Sequence, residues 1–133
     1  MSGSRLSPLQ SWIIGIALVG GALLAIIGIR YLVVPKSAAF TFGVADEVLG
    51  YELHYIIGLR NVWLGLLAIV FAILREWRAL TLWFGFGTVV CFADAGIAAT
   101  SSGRLPQVAF HIGAGVICLA LTFLIPRVTR RES

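Results

Sequence analysis

Tyr55–Leu74 reads YIIGLRNVWLGLLAIVFAIL, twenty residues with one charge, Arg60. A run of about 20 apolar residues matches the hydrocarbon core of a bilayer when it is helical. Lipid offers no hydrogen-bond partner to a bare backbone, so a spanning segment of this kind must close its own bonds as a helix. Its small and polar residues are not scattered. His54, Gly58, Asn61, Gly65 and Ala68 step by three or four, so they share one helical face.

Working outward, three more stretches have the same character: about 12–34, 80–99 and 108–125. None alternates as a barrel strand does. Small residues again fall on single faces. They are Ala17, Gly21, Ala25 and Gly28 in the first span, and Gly87, Cys91, Asp94 and Ala98 in the third. In the fourth they are His111, Gly115, Cys118 and Thr122. Small residues let helices approach closely in lipid, where the hydrophobic drive between helices is absent. The expected fold is therefore all-α, a membrane-embedded four-helix bundle forming a single integral membrane domain over 1–133. Small faces point inward, and Leu, Ile, Val and Phe face lipid.

Composition agrees. Of 133 residues, 59% are hydrophobic and 12% charged, and mean hydropathy is +0.98. A soluble domain this small cannot hide so much apolar surface. That excludes a water-soluble enzyme, a disordered tail and a disulfide-stapled secreted module. The first apolar run is too long for the core of a cleaved signal peptide, despite Ser37-Ala38-Ala39.

The connections carry breakers and charge. Pro35 should stop the first span, Arg75–Arg78 forms a charged turn, Ser101–Pro106 a small-residue loop, and Pro126 should end the fourth span. The longest connection, 36–53, carries Asp46, Glu47 and Glu52 and has room for a short interfacial helix. Trp12, Trp77 and Trp83 fit interfacial belts, and Arg30 lies within snorkelling reach of the surface.

With four spans, Arg5, Arg75, Arg78, Arg127, Arg130 and Arg131 fall on one side, and Arg30, Lys36 and Arg104 on the other. The positive-inside rule then places both termini in the cytoplasm. The expected location is the cell membrane, the inner membrane of a bacterium. The net charge of +4 reflects this bias and calls for no nucleic-acid partner.

Arg60, Asp94 and His111 are ionisable residues inside spans, and such residues persist when they pair or line a polar cavity. Each lies a few residues from the outer end of its span, with His54 and Asn61 at a similar level. An Arg60–Asp94 ion pair with His111 alongside is the expected arrangement. Against it, Arg60 stands about 120° around the helix from the His54–Asn61 stripe. Arg60, Asp94, His111, Asn61 and His54 are the candidate ligand-binding residues. His54 also lies near the membrane edge, where solvation competes with any role.

Three readings remain open. One is binding of a membrane lipid or a hydrophobic or amphipathic small molecule at a polar pocket near the outer leaflet. A second is a structural or assembly subunit, as part of a homo-oligomer or not, whose ion pair fixes helix register. The third, least supported, is a cofactor-independent membrane enzyme with His111 as acid or base. No cofactor is implied. Gly85-Phe86-Gly87 lacks the strand and lysine of a phosphate loop, and two histidines with one in-span carboxylate are too few for a metal. Cys91 and Cys118 read as small packing residues.

The pattern Gly58-Leu59-Arg60-Asn61 with Gly65, then Asp94 late in the third span and His111 early in the fourth, resembles the DUF4267-like family. These are small four-helix membrane proteins of bacteria and fungi, grouped as a domain of unknown function. The resemblance runs from about Gly28 to Leu124. It implies the four-span fold and supplies no activity. In that family an acidic residue follows the arginine; here Asn61 stands in its place, which removes one charge partner for Arg60. In size and span count alone, the chain is also similar to small membrane oxygenases that act on anthrones without a cofactor.

Overall fold

The computed structural model describes residues 6–44 and 51–129. Arg5, Asp46, Glu47, Arg130 and Arg131 lie outside the described residues. Five helices follow in order: α1 (Pro8–Val33), α2 (Pro35–Phe42), α3 (Glu52–Ile73), α4 (Trp77–Ser101) and α5 (Leu105–Thr129). All but α2 are long and apolar enough to cross a membrane.

The long helices overrun the apolar windows by up to a turn, because their ends are polar positions that a hydropathy reading discards. Ser7 caps α1: its hydroxyl accepts from the Gln10 amide at 3.3 Å, and the Gln10 side chain accepts from the Ser7 amide at 3.0 Å. Pro8 follows at the first helical position, where its missing N–H is no loss. Pro126 does not end α5 but sits inside it. So near the C-terminus it forfeits one helical bond, to the Thr122 carbonyl, and the chain goes on to Thr129.

The 36–53 connection does hold a short helix. α2 starts at Pro35 and stops at Gly43, whose φ of 110° is open to glycine and costly for other residues. Polar ties to the neighbouring helices fix it. Arg30 donates from α1 to the Ser37 and Thr41 hydroxyls at 3.2 and 3.3 Å, so this arginine is engaged rather than merely reaching for the surface. The Ser102 amide donates to the Gly43 carbonyl at 3.2 Å. The Arg104 guanidinium stacks 3.7 Å over the Phe40 ring.

α1 lies along α3, and α4 along α5; the two pairs then meet through α1 with α5 and α3 with α4. The α1–α3 seam is made of the small-residue stripes. A Cβ on Gly21 would fall 2.7 Å from the Gly65 carbonyl oxygen, and one on Gly28 would fall 2.6 Å from that of Gly58. Two bare-backbone crossings seven residues apart thus set the antiparallel register.

The α4–α5 seam is looser. Asp94, Cys91 and Gly87 are half-buried, and the deepest α4 positions are Leu80, Phe84, Thr88, Ala95 and Ala98. The inward face is thus turned from the small-residue stripe. Away from α2, bulk fills the centre: Leu80 and Phe84 pack with Leu121, Ile125, Ile13, Ala17 and Ala72. Cys91 and Cys118 are both free and face each other across this seam. Trp83 also turns inward, its Nε1 donating to the Leu64 carbonyl of α3 at 3.2 Å. Outward lie Val19, Trp63, Phe86 and Val89, each more than 60% exposed; in a bilayer that surface meets acyl chains.

Candidate functional site

All five candidate residues fall in the half of the bundle that α2 covers. α3 begins before the apolar run does, so His54 sits in its first turn on the Gly58–Asn61 face. There it is 6% exposed rather than solvated at an edge. Its ring lies 6.0 Å from that of Tyr31 on α1 and 6.2 Å from that of Tyr51. Its Nδ1 is buried without a hydrogen-bond partner among the described residues. Asn61, two turns on, is also buried.

His111, early in α5, is 8% exposed. Its Nε2 lies 3.2 Å from the Phe42 carbonyl of α2. A carbonyl only accepts, so the proton is on Nε2, and Nδ1 is the acceptor while the ring is neutral. The rings of Phe42 and Phe110 flank the imidazole at 4.5 and 5.6 Å.

Asp94 projects from α4 at the same level, half-buried. His111 on α5 and Arg60 on α3 both stand near enough to act on it electrostatically. Tyr31 of α1, 2% exposed, joins the layer beside His54. One layer thus holds polar side chains from α1, α3, α4 and α5.

The expected ion pair does not form. Arg60 and Asp94 make no salt bridge, and among the described residues Asp94 has no hydrogen bond. The reason is azimuth. Arg60 is exposed on the outward flank of α3, beside Ile56, Leu59 and Trp63, while Asn61 one residue later faces α1. The register that the pair was expected to fix is set by glycines instead. Among the described residues, no three His, Cys, Asp or Glu side chains group closely enough to hold a metal.

Sequence reasoning missed Tyr31, which read as one more apolar position, and the Phe42 carbonyl, which no side-chain pattern reveals. The three-residue step from Gly28 to Tyr31, which keeps both on one helical face, was the signal available for the first.

The model of a domain of unknown function, DUF4267, matches residues 21–125. The chain belongs to the DUF4267 family. That match spans the close α1–α3 seam, α2 and the whole polar layer. No curated protein and no solved structure matches the chain.

Proposed function

We propose that this DUF4267 protein is a single integral membrane domain over 1–133 that binds a hydrophobic or amphipathic small molecule or lipid. The polar head sits among His54, Asn61, Asp94 and His111, under α2, near the outer leaflet. Both termini lie in the cytoplasm by the positive-inside count, in the inner membrane of a bacterium.

One observation carries this reading: the polar layer is left short of partners. Among the described residues, His54 Nδ1 is buried and orphaned, and Asp94 has neither a salt bridge nor a hydrogen bond. A buried polar group without a partner costs about 1–3 kcal/mol, and more is at stake for a carboxylate near hydrocarbon. A fold retains such groups when a bound molecule satisfies them. A head group with both donors and acceptors suits a carboxylate, an amide and two imidazoles.

The test is mass spectrometry of small molecules co-purified with the wild type and with Asp94→Asn and His54→Ala. The reading expects one species enriched with the wild type and depleted at least tenfold in both variants, at equal yield and helicity. Equal recovery from all three proteins would remove it.

A further inference from the structure

Arg60 is left over from that layer, and it marks a second place on the molecule. It edges a shallow, open groove on the outward face of α3, together with Ile56, Leu59 and Trp63. These three apolar side chains are 63%, 65% and 62% exposed. Among the described residues the guanidinium has no carboxylate partner and no hydrogen bond. An unpaired cation on a lipid-facing flank demands a counter-charge.

We propose that this face is a phospholipid site: an acyl chain lies in the groove, and the phosphate of an anionic head group is held by Arg60. Arg60 is eight residues into α3, about 12 Å along the axis. Helical side chains lean toward the N-terminus, so its stem climbs toward the nearer surface and brings the guanidinium within reach of a slightly sunken phosphate. Guanidinium meets phosphate through paired, charge-assisted hydrogen bonds. A second copy of the chain fits worse. A two-fold dimer on this face would set Arg60 against Arg60 at one depth. The described carboxylates elsewhere do not match that depth and face: Glu52 lies two turns away, Glu76 follows the far end of α3, and Asp94 is half-buried beside α5. The proposal uses a different face of α3 from the polar layer and stands independently of it.

The experiment is native mass spectrometry of detergent-purified protein titrated with phosphatidylglycerol, phosphatidylcholine or inorganic phosphate. Phosphatidylglycerol should bind the wild type, about tenfold more weakly to Arg60→Gln, with partial recovery in Arg60→Lys and no change in Arg104→Gln. Inorganic phosphate, lacking the chain, should not be retained. Equal binding to Arg60→Gln, an equal loss in Arg104→Gln, or a wild-type dimer that Arg60→Gln dissolves would each overturn the site. Should Arg60→Gln not fold, wild-type unfolding decides: phosphatidylglycerol should raise its midpoint more than phosphatidylcholine does, and equal shifts would refute the proposal.

Discussion

Gly65 and Gly21 meet backbone to backbone: a methyl on Gly65 would land on the Gly21 carbonyl oxygen, with the Ala25 amide 2.8 Å away. The obstacle is main chain, which cannot rotate aside as a side chain would. Gly65→Ala and Gly28→Ala should therefore force α1 and α3 apart, at a cost of about 1–3 kcal/mol. The control is Gly113→Ala on α5, which meets nothing within 4 Å and should be neutral or slightly stabilising, given the better helix propensity of alanine. Unfolding in detergent, followed by circular dichroism, separates the two classes.

The two faces of that seam were legible in the sequence, though not that they meet, and the reason is physical. Where helices touch through glycine, spacing alone gives the contact face, because no side chain intervenes to turn it. On α4 the same reading ran about one residue off. The bulk of Phe84 and Leu121 fills the centre there, and volume rather than smallness decides which face turns in. For the site, spacing gave a shared layer but not pairing. Arg60 shares a layer with Asp94, yet its azimuth points it out of the bundle. Two things were beyond a pattern of side chains. One is the bond from His111 to a backbone carbonyl 69 residues away. The other is whether His54 is buried with its face or solvated at the membrane edge, which depends on where α3 begins.

The α2 helix is too short to stand alone, so its docking depends on its ties. His111 supplies one through the Phe42 carbonyl. His111→Phe keeps the ring and deletes the donor. It should weaken the docking by about 0.5–1.5 kcal/mol, the usual net worth of one hydrogen bond. Hydrogen exchange would read this as faster exchange of amides 38–44, with those in the middle of α3 unchanged. Unaltered exchange in α2 would mean that the bond contributes nothing to holding it down.

His54 should behave unlike an ordinary core residue. Replacing a well-satisfied buried side chain destabilises a protein, but His54 carries a buried nitrogen with no partner. His54→Phe keeps the aromatic contacts with Tyr31 and Tyr51 and removes the orphan. The ligand-free protein should gain stability, on the order of 1 kcal/mol. The same variant should lose the co-purified molecule. A variant both less stable and still loaded would assign His54 to packing alone.

Trp83 tests how the two helix pairs are held together. Its indole crosses from α4 to the Leu64 carbonyl of α3, an oxygen already engaged within its own helix. Interhelical hydrogen bonds in membranes average about 0.6 kcal/mol, and here the acceptor is shared. Trp83→Phe keeps the edge-on packing against Phe84, whose ring centroid is 5.1 Å away, and deletes the donor. The expected loss is correspondingly small, about 0.5 kcal/mol. Trp83→Ala should cost several times more, because it also empties the space between α3 and α4. Comparing the two variants by thermal unfolding separates the hydrogen bond from the packing. Equal losses would mean that the donor, not the ring, joins the two pairs.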